Sequence, residues 1–150
     1  MRNYFFKKEE KGISLIEVLT VMAVIGIFAS IGVSGFFSFK KGNDFLLSIE
    51  QANNTIRLAR MKALNGNNDD DWGVHITASQ ILVFKGNDFI NRNISYDEVV
   101  SLSEVASVSG LTQIIFSKMS GLPSDVGVIY FNDGNQNKSI EINEKGMVIK

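Results

Sequence analysis

The sequence predicts an α+β fold, in which one long N-terminal helix packs on an antiparallel β-sheet. Two observations carry this prediction. Apolar residues crowd into residues 13–39 and then continue at helical spacing. After residue 72 the pattern changes to short runs of valine, isoleucine and aromatic residues, and these runs are separated by residues typical of turns. A length of 150 residues fits one folded domain.

The first element is an apolar segment of membrane-spanning length. No charged residue occurs from Val18 to Phe37, and these twenty positions extend about 30 Å as a helix, the thickness of a bilayer core. A secretory signal peptide is the alternative, but its apolar part usually spans only about 7 to 15 residues and ends at a cleavage site of small residues. Basic residues before the span predict that residues 1–12 stay in the cytoplasm and that the C-terminal part is exported. These residues are Arg2, Lys7, Lys8 and Lys11.

One carboxylate, that of Glu17, lies near the start of the apolar segment. A carboxylate inside a membrane costs about 2.5 to 3.5 kcal/mol on insertion scales, so its presence indicates a function and a partner. The alternative is a charge close to the cytoplasmic interface whose side chain reaches the lipid headgroups.

Helical spacing continues beyond the span. Apolar residues recur every three or four positions, so they form one stripe, and the charged residues lie mostly on other faces. The stripe consists of Phe45, Ile49, Ala52, Ile56, Ala59 and Ala63. Asn65 and Gly66 predict that the helix ends at about residue 64. An amphipathic helix over 40–65 is therefore expected to continue the segment 13–39.

The region 72–150 predicts about five or more short strands. The runs WGVHIT, QILVFK, TQIIFSK, VGVIYF and KSIEIN begin at residues 72, 80, 112, 126 and 138. NDG and EKG predict turns, and a hairpin is expected around Asp133 and Gly134.

The stretch KGISLIEVLTVMAVIGIFASIG, residues 11–32, closely resembles the class III signal of type IV prepilins and type II secretion pseudopilins. The resemblance implies that prepilin peptidase cuts after Gly12 and that Ile13 becomes the methylated N-terminus. It also implies that Glu17 neutralises the Ile13 amine of a neighbouring subunit in a filament, where either charge alone would be costly to bury. Ser34 stands where many major pilins have a proline, which weighs against a major pilin.

Later segments resemble one subgroup of this family. LARMKALNGNNDDDWGVHI, IIFSKMSGLP and SIEINEKGMV are similar to stretches of the minor pseudopilin H of general secretion systems and of the fimbrial T minor pilins. The resemblance implies a pilin fold and a structural minor pilin or pseudopilin that is anchored in the inner membrane, with residues 40–150 as an exported domain. Its implied partners are other pilin subunits, prepilin peptidase, the inner-membrane assembly platform and the lipid bilayer.

The remaining residues favour neither an enzyme nor a cofactor. The chain has no cysteine, and His75 is its single histidine, so thiolate or histidine-rich metal sites and disulfides are excluded. Asp69 and Asp71, near Asn67, are weak candidates for calcium ligands, but their spacing does not fit the EF-hand pattern and favours a solvated loop. Trp72 is expected in the core, where it would anchor the helix against the sheet.

A DNA-uptake or adhesive tip pilin is the alternative function. Residues 40–150 hold 11 lysines and arginines against 13 acidic residues, a net charge of −2. Binding of nucleic acid normally needs a basic patch that neutralises phosphates, and the linear sequence contains none. Such a patch would have to form in the fold, and its members would be Lys118, Lys138, Lys145 and Lys150.

Overall fold

The computed structural model of the protein describes residues 12–149, apart from the side chains of residues 31–34. Most of the leader, residues 1–11, therefore lies outside the described residues, together with its basic side chains Arg2, Lys7, Lys8 and Lys11. Lys150 and the side chain of Ser34 lie outside them as well.

The long predicted helix is present as α1 (Leu15–Leu64). Two residues after its end, Gly66 has a φ angle of 61°, a left-handed conformation that glycine adopts without a Cβ clash. The carbonyl of Ala63 accepts hydrogen bonds from the N–H groups of Gly66 at 3.0 Å and Met119 at 2.9 Å. The Ala63 carbonyl in the last turn is thus hydrogen-bonded by the chain that follows. The predicted end of the helix at about residue 64 is confirmed.

The chain divides into two compact units, Met1–Phe39 and Lys40–Lys150. In the first unit, residues 15–39 are helical, and the large apolar side chains that the structure describes there are exposed. By length and composition α1 can cross a membrane, because its most apolar window of 18 residues has a mean hydropathy of 2.3 and none of that window is buried within the chain.

In the second unit, α1 buries one face. All six residues of the predicted stripe are at most 7% exposed, which confirms the amphipathic pattern. Three of the six are alanines, whose short side chains let a helix lie close to a sheet. The stripe consists of Phe45, Ile49, Ala52, Ile56, Ala59 and Ala63.

Eight strands form two antiparallel sheets of four strands each. In chain order they are β1 (Trp72–Ile76), β2 (Gln80–Lys85), β3 (Glu98–Ser101), β4 (Ser107–Gly110), β5 (Gln113–Phe116), β6 (Gly127–Asn132), β7 (Asn137–Ile142) and β8 (Val148–Ile149). Sheet A has the order β3-β2-β1-β5, and sheet B has the order β4-β6-β7-β8. Two short 3₁₀ helices, Asn67–Asp69 and Ile94–Tyr96, lie in the connections.

The predicted α+β class with one long N-terminal helix is confirmed, but the strands divide into two sheets where one was expected. β4 belongs to sheet B and β5 to sheet A, so the chain changes sheets between them. Gly110 permits this change, because its φ angle is 82° and a Cβ there would lie 2.2 Å from the Val128 carbonyl oxygen. β3 and β4 have only four residues each, and two of the four in β4 are serines, so these strands carry little strand signal.

The inner faces of both sheets and the stripe of α1 share one core. Trp72 is 2% exposed within this core, as predicted, and its indole N–H donates to the Asn67 carbonyl at 2.9 Å. From the strands, the core includes Trp72, Val74, Ile76, Ile81, Val83, Ile114, Phe116, Ile129, Phe131, Ile140 and Ile142.

The predicted hairpin at Asp133 and Gly134 is confirmed, since β6 pairs with β7 antiparallel on either side of it. One oxygen of the Asp133 carboxylate accepts the N–H groups of Asn135 and Gln136, each at 2.7 Å. These backbone donors hold the pKa of the Asp133 carboxyl below its usual value. Gly146, at a φ angle of 70°, closes the second predicted turn between β7 and β8.

The outer face of sheet A has a small apolar cluster of its own. Gly73 pairs with Phe84 across β1 and β2, and a Cβ at Gly73 would lie 2.3 Å from the Phe84 ring. The Phe84 ring therefore lies directly on the glycine backbone. Phe89, from the loop of residues 86–97, meets Phe84 edge to face with ring centroids 5.5 Å apart. This loop thus covers part of the outer face.

A three-layer stack holds the same loop to the sheet. His75 stacks on the Phe89 ring with centroids 4.1 Å apart, and the Arg92 guanidinium carbon lies 4.1 Å from the same centroid. One ring face has room for only one group at this distance, so His75 and Arg92 lie on opposite faces. Arg92 is fixed in turn, because its Nε donates to both Asp97 carboxylate oxygens at 3.1 and 3.0 Å.

The stack predicts that the 86–97 loop loosens at mildly acidic pH. The buried Nδ1 of His75 has no hydrogen-bond partner in the described structure, and burial together with the Arg92 charge lowers the His75 pKa below the ordinary 6.5. The folded state then binds fewer protons than the unfolded state, so stability falls as the pH drops through 6.5 and continues to fall to the folded pKa.

Hydrogen exchange by mass spectrometry on the full-length protein in detergent measures this loosening. After correction for intrinsic rates, peptides from residues 86–97 should exchange faster at pH 5 than at pH 7.5. His75→Phe keeps a stacking ring but cannot be protonated, so it should remove most of the difference. A His75 titration midpoint at or above 6.5 would show that the stack does not disfavour the proton.

Candidate processing and assembly site

The predicted cleavage site is exposed and lies just before the helix. Gly12, Ile13 and Ser14 have no regular secondary structure, and Ile13 is 78% exposed. A Cβ built on Gly12 meets no atom within 4 Å. The Gly12–Ile13 bond is therefore in an open segment of the kind that proteases reach.

Glu17 lies in the first turn of α1. The Ser14 carbonyl accepts the N–H groups of Glu17 at 3.0 Å and Val18 at 3.2 Å, which starts the helical hydrogen bonds. A carboxylate at this position is favoured by the partial positive charge of the helix N-terminus. This interaction stabilises the negative charge in part, but no basic side chain among residues 12–149 forms an ion pair with Glu17.

Ile13 and Glu17 are one helical turn apart in sequence and share one surface. They line a shallow depression of about 340 Å³, whose other walls are apolar. Those walls are formed by Val18, Val21, Met22 and Ile25. After cleavage the Ile13 nitrogen would be an amine, so this surface would carry one positive and one negative group in an otherwise apolar setting.

Two hydroxyl groups of the apolar segment are satisfied inside the helix. The Thr20 hydroxyl donates to the Ile16 carbonyl at 2.8 Å, and the Ser30 hydroxyl donates to the Ile27 carbonyl at 2.7 Å. Such bonds let polar side chains reside in lipid without an outside partner. Within residues 12–149 no comparable hydrogen bond satisfies the Glu17 carboxylate, and this distinguishes Glu17 from Thr20 and Ser30.

Asp69 and Asp71, the weak candidates for calcium ligands, lie in a loop in which each carboxylate contacts its own partner. Asp69 pairs with the Lys118 ammonium at 2.6 Å, which lowers the pKa of the Asp69 carboxyl, and Asp70 lies 3.7 Å from Lys85. Asp71 accepts the Lys118 N–H at 2.7 Å. Residues 12–149 contain no group of three or more histidine or acidic residues that could hold a metal ion. The geometry accordingly favours an ion-paired surface loop.

Not all four lysines considered for DNA binding are available to contact phosphates. Lys118 is engaged by Asp69, and Lys150 lies beyond the described residues. Lys138 lies on β7 and Lys145 in the turn that follows. Nothing in the described part of the chain supports the DNA-uptake or adhesive alternative.

The start of α1 also matches the model of a known sequence motif. Residues 7–33 match the prokaryotic N-terminal methylation motif, and this range includes Gly12, Ile13 and Glu17. No curated protein and no solved structure matches the chain. The motif is the prepilin-type class III signal, so it supports the type IV pilin and pseudopilin family.

More narrowly, the motif supports a type IV pilin-like subunit that prepilin peptidase processes and that assembles with other pilin subunits. The family that carries this motif is structural rather than catalytic. The class III signal and the apolar N-terminal half of α1 fit a pilin that is anchored in the inner membrane.

Proposed function

We propose that this chain is a minor pilin or pseudopilin, a structural subunit of a type IV pilus or a type II secretion pseudopilus. One observation carries the proposal: the prepilin-type motif, residues 7–33, overlaps the exposed start of an apolar helix of membrane-spanning length. Ser34, in place of the proline of many major pilins, and the resemblance of the later segments to minor subunits favour the minor role.

In this proposal, residues 1–12 are a cytoplasmic leader, residues 13–39 span the inner membrane, and residues 40–150 form the exported domain. Prepilin peptidase cuts after Gly12 and Ile13 is methylated at its new amine. The large apolar side chains that the structure describes in this segment are exposed, so they require lipid before assembly and neighbouring helices afterwards.

Glu17 makes the transfer of the subunit from lipid into the filament selective for one register. In the membrane its carboxylate lies within reach of the interface and benefits from the helix N-terminus. In the filament it meets the Ile13 amine of a neighbouring subunit, and the two charges neutralise each other in a low-dielectric environment. A subunit in the wrong register would leave both charges unpaired, so the pair fixes the register of assembly.

Intact-mass spectrometry of the protein from membranes and from sheared filaments tests the proposal. The mature chain should begin at a methylated Ile13 and have 138 residues, the 150 of the full chain less the 12 of the leader. A strain without prepilin peptidase should retain the Met1 form. A full-length Met1 chain in cells with active peptidase, or processed protein that never enters filaments, contradicts the proposal.

A further inference from the structure

Most basic side chains of the second unit are already paired with carboxylates. Within residues 40–149, six lysines and arginines form ion pairs and four do not. The four that form no ion pair with a carboxylate of the described residues are Arg57, Arg60, Lys138 and Lys145. Such a division is unexpected in a domain with more acidic than basic residues, because carboxylates are plentiful.

Arg57 and Arg60 line one cleft of about 330 Å³, the arginine cleft. Its other lining residues are Met61, Gly146, Met147 and Val148. Met61 is 53% exposed and Met147 is 49% exposed, so the walls of the cleft present flexible apolar side chains to solvent. The arginine cleft thus combines an adaptable apolar wall with two positive charges that form no ion pair within the described part of the chain.

Both guanidinium groups are held in place by neutral acceptors. Arg57 donates to the Asn53 amide oxygen at 3.0 Å and to the Val148 carbonyl at 3.4 Å. Arg60 donates to the Gly121 carbonyl at 3.2 Å and to the Lys145 carbonyl at 2.9 Å. These bonds orient each side chain and leave its charge intact. Neither Nη1 atom has a hydrogen-bond partner in the described structure.

The turn before β8 is packed tightly against Arg60. A Cβ on Gly146 would lie 2.6 Å from the Gly121 carbonyl oxygen and 2.9 Å from the Arg60 Nε. Glycine is therefore required where the turn contacts the guanidinium. An arginine that is fixed in this way loses little conformational freedom when it binds a ligand.

The ligand that fits is a carboxylate flanked by apolar side chains. A planar guanidinium recognises carboxylates through charge-assisted hydrogen bonds, and the methionines can pack on apolar neighbours. A nucleic acid would need a longer basic track, and among residues 40–149 only Lys138 and Lys145 add to the two arginines as cations outside ion pairs. Charge complementarity consequently favours an acidic protein surface.

We propose that the arginine cleft docks an acidic side chain of the neighbouring subunit in the filament. The inference rests on the proposed function and extends it, because it identifies a contact of the exported domain in addition to the contact of Glu17. Arg57 is the exposed member of the pair, and Arg60 lies deeper in the cleft. Arg57 therefore makes the first contact with the partner carboxylate.

Assembly of the full-length protein in a host that lacks the native copy tests the arginine cleft. Arg57→Glu should lower the ratio of sheared-filament to membrane protein by at least about tenfold, because the partner carboxylate then meets a like charge. Arg57→Gln keeps a hydrogen-bonding side chain without the charge and should give a smaller loss. Lys138→Glu, an identical charge reversal at another unpaired cation, should assemble like the wild type.

A photo-crosslinking residue at Met61 identifies the partner. The crosslink should join a second pilin subunit through a peptide that contains aspartate or glutamate, and changing that acid to lysine should restore the assembly of Arg57→Glu. Proteolysis of each variant in membranes, compared with the wild type, checks that the domain is folded.

The outcomes separate the two proposals. If the wild type never enters filaments, the proposed function and the docking contact both fail. If the wild type assembles and Arg57→Glu assembles equally well, only the arginine cleft is overturned. Salt-dependent binding of duplex DNA to the wild type that Arg57→Glu abolishes would assign the cleft to nucleic acid and would also overturn the inference.

Discussion

Replacing Glu17 by alanine should leave the protein in the membrane and remove it from filaments. Insertion becomes easier by up to about 3 kcal/mol when the charge is lost from the apolar segment. Incorporation should fail, because the Ile13 amine of the neighbouring subunit would be buried without a counter-charge, and deleting one partner of a buried pair costs about 3 to 5 kcal/mol. The ratio of sheared-filament to membrane protein measures this effect.

Two further variants separate the charge from general damage to the segment. Glu17→Gln retains a hydrogen-bond acceptor without the charge, so its ratio should lie between those of the wild type and the alanine variant. Thr20→Ala removes a hydroxyl that is satisfied within the helix, and its ratio should be close to that of the wild type. Equal ratios for the wild type and Glu17→Ala would favour the alternative of a charge that merely reaches the headgroups.

Gly12→Val should block removal of the leader almost completely. The resemblance to prepilins implies a peptidase that requires glycine before the scissile bond. In the structure a Cβ at Gly12 meets nothing within 4 Å, so the added side chain does not disturb the fold of this chain. Loss of cleavage would then report recognition by the peptidase. The measurement is the fraction of protein that begins at Met1, determined by intact-mass spectrometry.

Gly26→Val is the matched control for this experiment. Gly26 is also in open space, because a Cβ there has no neighbour within 4 Å, but it lies 14 residues beyond the cleavage site. The Gly26 variant should be processed normally while the Gly12 variant keeps its leader. Efficient cleavage of Gly12→Val would refute the assignment of this bond.

Sequence patterns predicted the helix better than they predicted the sheets. The stripe from Phe45 to Ala63 has an unambiguous helical period, and glycine after the last turn marks the end of α1. The stronger strands, such as β2 and β6, follow from their β-branched and aromatic residues. β3 and β4 have only four residues each, and their pairing depends on strands that are distant in sequence, so a local pattern could not reveal them.

The candidate functional residues also differ in how far a local sequence pattern can reveal them. Gly12, Ile13 and Glu17 lie within one short stretch, so the sequence alone could single them out, and their roles stay predictions. Arg57 and Arg60 were seen only as charged residues off the apolar stripe, because their cleft is completed by the turn at Gly146, more than 80 residues later. Only the fold shows that these two arginines are oriented and that no carboxylate among residues 12–149 forms an ion pair with them.

The division of the strands between two sheets also has a consequence for the order of folding. Sheet A is incomplete until β5 is available, and sheet B draws its strands from residues 107 to 149. Contacts that join such distant parts of a chain form slowly, because long loops must close before any contact stabilises them. The apolar stripe of α1 therefore stays incompletely covered until the strands of sheet B, which end at Ile149, have been synthesised. During that interval the nascent chain depends on chaperones or on rapid delivery to the membrane to avoid aggregation.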